Sequence, residues 1–132
     1  MPERIFTPQE ANAALDELRP LVEAMVAAKH VLDEAQEQRD DLTRRIAGNG
    51  GGIPPAELAA REAEVDTAAT ELAGAIGKVQ AMGVLVKDLD SGLVDFPAKR
   101  DGEDILLCWQ LGEDEVAYWH GLEDGYAGRR PL

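Results

Sequence analysis

Cys108 is the only cysteine of the chain, so no internal disulfide can form and packing alone must hold the fold, as in a reducing cytoplasm. Basic residues are also short: 13 Lys and Arg stand against 26 Asp and Glu, for a formal net charge of −13. Such a surface repels nucleic-acid phosphates and anionic lipid, which argues against either as a partner. The acidity is spread along the whole length and reads as ordinary solvated surface. No stretch approaches the roughly 18 apolar residues of a membrane helix. The opening MPERIFTPQE has no apolar signal region, and a soluble, cytoplasmic protein is expected. Recognisable motifs are missing too: there is no HExxH, no CxxC, no EF-hand pattern, and no phosphate loop ending in Gly-Lys-Ser/Thr.

What is present divides by rhythm. At 132 residues the chain is expected to form one domain. Thr7-Pro8-Gln9-Glu10 has the form of a helix start, with Thr7 and Glu10 able to satisfy each other's backbone amides and Pro8 suited to the first position. Leu15, Leu18, Val22, Met25, Leu32, Leu42 and Ile46 then recur at helical spacing, interrupted by Lys29 and Arg39. Pro20 would remove a backbone bond to Asp16, so the helix is expected to kink or restart there. Gly48-Asn49-Gly50-Gly51-Gly52 reads as a hairpin loop, and Ile53-Pro54-Pro55 as the start of a second helix reaching about Met82. In that helix Leu58, Val65, Leu72 and Val79 recur every seven residues, beside small Ala68 and Ala69. Residues 1–83 thus predict an antiparallel helical hairpin with coiled-coil packing.

After Gly83 the period becomes two. Val84–Asp88, Leu93–Phe96 closed by Pro97, Asp104–Gln110 and Glu115–His120 predict four short strands, joined by Asp90-Ser91-Gly92, Lys99-Arg100-Asp101-Gly102 and Gly112-Glu113-Asp114 as turns. Residues 84–120 therefore predict a small antiparallel β-meander packed on the hairpin, and 121–132 an irregular tail. The fold class expected is α+β. The third strand is apolar on both sides, with Ile105, Leu107 and Trp109 opposed to Leu106 and Cys108, so it should be central and covered twice. Phe96, Trp109, Tyr118 and Trp119 are the aromatic residues expected to join sheet to helices.

The run KDLDSGLVDFPAKRDGEDILLCWQLGEDEVAYWH, continuing to GYAGRRPL, resembles the bacterial family DUF2203, a domain of unknown function. The resemblance covers essentially the whole chain, with a helical half followed by a GLVDFP–LCW–WH half. It implies no activity.

Chemistry has therefore to be read from the residues. Asp88, Asp95, Glu113, His120 and Glu123 are carboxylates and an imidazole of the kind that Mn, Fe or Zn accepts. A short meander could gather Asp88, Asp95 and His120, the metal-ligand set we select, for a divalent transition metal. The competing reading gives Asp88, Asp90 and Asp101 to turns, Asp95 to a Lys or Arg, and His120 to a strand end. A haem or aromatic ligand with His120 as axial ligand is a further alternative. Cys108, in an apolar strand, reads as a small buried hydrophobe rather than a nucleophile served by His120. His30, beside Lys29, reads as solvent-facing, and Arg129-Arg130-Pro131 as a basic island that binds back, meets a partner or hangs free. No catalytic residue is identified, and the balance is against an enzyme. The leading expectation is a noncatalytic binding or scaffold protein that self-associates through its helices, as a dimer, or docks a partner helix; the alternative is a metal- or cofactor-binding protein with its site on the sheet.

Overall fold

The computed structural model describes residues 4–48, 52 and 55–132, so the glycine-rich loop at 49–51 and the helix start at 53–54 lie outside the described residues. Helix α1 spans Pro8–Gly48 and α2 spans Pro55–Gln80. A five-stranded sheet follows: β1 Leu85–Asp88, β2 Leu93–Arg100, β3 Glu103–Gln110, β4 Tyr118–Gly121 and β5 Arg130–Pro131, in that spatial order. Every neighbouring pair is antiparallel. No described helix is long and apolar enough to cross a membrane.

The start of α1 closes as its sequence predicts. The Glu10 amide donates to Thr7 Oγ1 at 3.0 Å and the Thr7 amide to Glu10 Oε1 at 2.9 Å, which satisfies two of the amides a helix start leaves unpaired. The Thr7 amide, followed by its hydroxyl, holds the Glu10 carboxyl below the usual range. Pro20 does not restart the helix, which is continuous through it. Leu18 and Val22 on either side are fully buried, and that packing outweighs the missing bond to Asp16. The helices are antiparallel: Arg61 reaches Gln38 at 3.1 Å, and Arg4, ahead of α1, reaches the Met82 carbonyl just beyond α2. By helical rise α1 is about 60 Å long and α2 about 40 Å.

The sheet sits on the first half of α1. The Asn12 amide exchanges two hydrogen bonds with the Val116 backbone, donating at 3.1 Å and accepting at 2.7 Å. Arg19 donates to the carbonyls of Glu113 and Asp114, and Lys29 pairs with Asp33 and Asp90. Gly92 is buried where the β1–β2 turn meets α1; a Cβ there would come within 2.9 Å of Val22 and Leu111, at a φ of +70°. Val94, Phe96, Ala98, Ile105, Leu107 and Trp109 face the helices and share one core with Phe6, Leu15, Leu18, Val22, Met25, Leu72 and Val79.

β1 and β3 each begin one residue away from the sequence expectation, at Leu85 and Glu103, and the other strands differ more. β2 runs through Pro97 to Arg100 instead of ending there. The Pro97 carbonyl accepts from the Phe6 amide at 2.7 Å, on the side away from β3. A residue's N–H and C=O point the same way in an antiparallel strand, so the N–H that proline lacks would also have pointed away from β3 and no ladder bond is lost. β4 begins at Tyr118 rather than Glu115, because Val116 is already committed to Asn12. The tail is not wholly irregular: a 3-10 turn at Tyr126–Gly128 leads into β5, where Arg130 and Pro131 pair with Trp119 and Tyr118. The aromatic residues also divide. Trp109 and Phe96 are fully buried in the core, Trp119 packs at its margin, and Tyr118 lies on the opposite face of the sheet.

Trp109 is the largest buried side chain, with its Nε1 donating to the Glu113 carbonyl at 3.0 Å. Trp109→Ala is expected to destabilise the protein by about 3–5 kcal/mol. Urea denaturation checks this; a midpoint equal to wild type would show that Trp109 does not anchor the core.

Candidate metal centre

On the face of the sheet turned away from the helices, β2, β3 and β4 contribute one buried polar cluster. Asp95 is paired with Cys108 across β2 and β3, and Cys108 with Tyr118 across β3 and β4, while His120 stands two pairs further along, opposite Leu106. Alternation puts all of them on the same face. The His120 ring reaches over β3 to Asp95, with Nε2 at 3.1 Å from both carboxylate oxygens. Asp95 and His120 are 1% and 2% exposed, and Cys108 is fully buried. One ligand atom from each of the three lies within 4.8 Å of the other two. Beside the cluster is a pocket of about 200 Å³ walled by Lys87, Leu93, Leu122, Glu123 and Tyr126.

Hydrogen-bond accounting constrains this arrangement. His120 Nδ1 lies 2.8 Å from the Gly121 carbonyl; a carbonyl only accepts, so Nδ1 carries the proton. Nε2 then faces two carboxylate oxygens. If Nε2 is unprotonated and Asp95 ionised, lone pairs confront one another in a buried site. One positive charge between them, a proton or a metal cation, resolves the conflict. Fixing a histidine's far nitrogen on a backbone carbonyl is also how proteins orient an imidazole whose other nitrogen is a ligand.

Cys108 is held in its neutral form. Burial, then the nearby Asp95 charge, pushes its thiol up to about 12. It is therefore no nucleophile at neutral pH; only a cation in direct contact would make it a thiolate.

A model of the family described as "Uncharacterized conserved protein (DUF2203)" matches residues 4–132. The chain belongs to the DUF2203 family. No curated protein and no solved structure matches it.

Of the residues singled out in this DUF2203 sequence, the fold brings Asp95 and His120 together but leaves Asp88 out of the cluster. Asp88 is exposed and closes the β1–β2 turn, accepting from the Ser91 amide at 2.8 Å and the Ser91 hydroxyl at 2.6 Å. The hydroxyl first, then the amide, hold its carboxyl low. A bulge between Val86 and Asp88 breaks the alternation of β1 just before Asp88. Glu113 is engaged by Arg129 at 2.8 Å and accepts from the Gln110 amide at 2.7 Å. Glu123 is exposed on the pocket wall, and His30 is exposed on α1. The basic island folds back: the Arg129 guanidinium lies 4.1 Å from the Tyr118 ring centre and 4.6 Å from that of Tyr126. This clamp holds Tyr126 over the pocket. Cys108 is the residue that reading of the sequence left out of the ligand set. The signal was present in the Asp101–Gly102 turn, which pairs Arg100 with Glu103 and so sets Asp95 opposite Cys108.

Two outcomes follow for the metal-free protein. The Cys108 thiol should resist a disulfide reagent at pH 8 and react once the chain is unfolded. Because its folded pKa lies above a thiol's ordinary value near 9.0, only the unfolded thiol ionises as pH climbs from about 9 toward 12. Stability should fall over that window and be unaffected by this group below it. Cys108→Ala should remove its share of that decline. Rapid modification of native protein at pH 8 would contradict the burial argument.

Proposed function

We propose that this protein binds zinc, with Asp95, Cys108 and His120 as ligands and a fourth position open to the adjoining pocket. The supporting observation is the pinned His120 ring, which aims Nε2 at the Asp95 carboxylate beside the Cys108 thiol, where one positive charge, a proton or a metal, resolves the facing lone pairs. Imidazole, thiolate and carboxylate together suit borderline Zn²⁺ better than Mg²⁺ or Ca²⁺. Bonds of about 2.0–2.3 Å put tetrahedral ligand atoms about 3.3–3.8 Å apart; the His120–Asp95 contact of 3.1 Å already fits, and Cys108, within 4.8 Å of both, must draw in. Binding expels the Cys108 proton, so affinity should rise with pH through neutrality.

Dialysis against Zn²⁺ followed by elemental analysis is expected to give about one zinc per chain. His120→Ala and Cys108→Ala should reduce this to background with helical content retained, whereas Asp88→Ala should keep it. Absence of zinc from the wild type, or its retention in both ligand variants, would overturn the proposal.

A second reading rests on the far end of the hairpin. Beyond the reach of the sheet the helices bury only Ala35, Leu42, Val65 and Ala68 among the described residues, and Val31 is 51% exposed. A groove of about 420 Å³ between them is lined by Val31, Ala35, Ala63 and Ala68 and bordered by Glu34, Glu64 and Glu71. So thin an interface gives two helices little tertiary support, and a second hairpin would turn it into a four-helix bundle. We infer self-association as a dimer, in a binding rather than catalytic role. Sedimentation equilibrium should return twice the chain mass; a monomer throughout the micromolar range would contradict it.

A further inference from the structure

The outward face of the sheet has a second hollow that the zinc proposal does not use. Of the six large hydrophobic side chains exposed on the described surface, Ile5, Leu85 and Leu122 are 45%, 41% and 60% exposed and converge on it. Its volume is about 480 Å³, and Pro97 and Leu106, both buried, contribute to its wall. Volumes of roughly 300–1,000 Å³ are usual for small-molecule sites, and so concentrated an apolar patch is not random surface scatter.

Its charges are unequal. Lys99 and Asp104 neutralise each other at 2.7 Å. Lys87, also on the wall, forms no ion pair among the described residues, even with Glu123 on the pocket it shares beside His120. Lys87, Lys99 and Asp104 leave this wall with one net positive charge, against the −13 of the chain as a whole, and an uncommitted ammonium beside apolar side chains suits one kind of occupant. A neutral hydrocarbon leaves the ammonium unused, and a cation is repelled by it. We propose that this hollow binds a small amphiphilic carboxylate, with its anionic head on Lys87 and its hydrocarbon chain across Leu85, Leu106 and Leu122. The head is recognised by a charge-assisted hydrogen bond and the chain by burial of apolar surface. The zinc ion plays no part in either contact.

Isothermal titration of the full chain with octanoate, in EDTA, tests this. Saturable binding of one octanoate per chain is expected. Lys87→Met should weaken it about tenfold and leave binding of neutral 1-octanol unchanged. Leu85→Asp should weaken both. Absence of saturable octanoate binding, or octanoate binding that is indifferent to Lys87→Met, would overturn the proposal. Because EDTA removes metal, octanoate binding stands or falls separately from zinc: a chain that takes octanoate but no zinc refutes only the metal centre.

Discussion

β3 is apolar on both faces, and a strand of that kind is stable only if both are taken out of water. Ile105, Leu107 and Trp109 on one side have two helices to bury them. Leu106 and Cys108 on the other have only flanking strands and a short tail. Much of the tertiary detail serves that asymmetry. Asn12 and Arg19 pin the segment after β3 to α1, Glu113 holds the turn and receives Arg129, and Arg129 fastens the tail across Tyr118. Covering the second face in this way puts Asp95 and His120 in a dry environment.

Burial makes that pair consequential. Desolvating a carboxylate is costly unless a positive partner sits against it, and removing one member of a buried pair commonly costs about 3–5 kcal/mol. His120 is the single partner the chain provides for Asp95 among the described residues, and its other nitrogen is committed to Gly121. A proton meets the need at the least structural cost. A metal also meets it and brings in Cys108, whose neutral thiol is otherwise a weak donor beside Asp95. The net negative charge of the chain raises the local concentration of cations.

Elements dominated by local rules were legible in the sequence. The Thr7–Glu10 cap, the heptad from Leu58 to Val79, and the Asp101–Gly102 hairpin are each decided by residues a few positions apart. The hairpin has φ of 53° and 80° at its two central residues, the geometry that Asp-Gly favours. What required tertiary information was less legible. Pro97 reads as a strand end until Phe6 shows which way its backbone faces. The Asp88 register depends on a bulge that no alternation pattern reveals. β5 is two residues long and exists only because β4 offers an edge. Of the candidate site, Asp95 and His120 were legible as inhabitants of one meander. Cys108 was read for its packing and not for its register, although the turn arithmetic sets it opposite Asp95. The link from β3 to β4 is too long and irregular for the same arithmetic to fix His120.

In the zinc proposal the positive charge between His120 and Asp95 is a metal held also by Cys108. Diffraction from zinc-loaded crystals, recorded on both sides of the zinc absorption edge, distinguishes it from a proton. One strong anomalous peak is expected within bonding distance of His120 Nε2, Cys108 Sγ and an Asp95 oxygen, with the His120 Nδ1 bond to Gly121 preserved. Zinc located only on exposed carboxylates, with Nε2 still resting on Asp95, would contradict it.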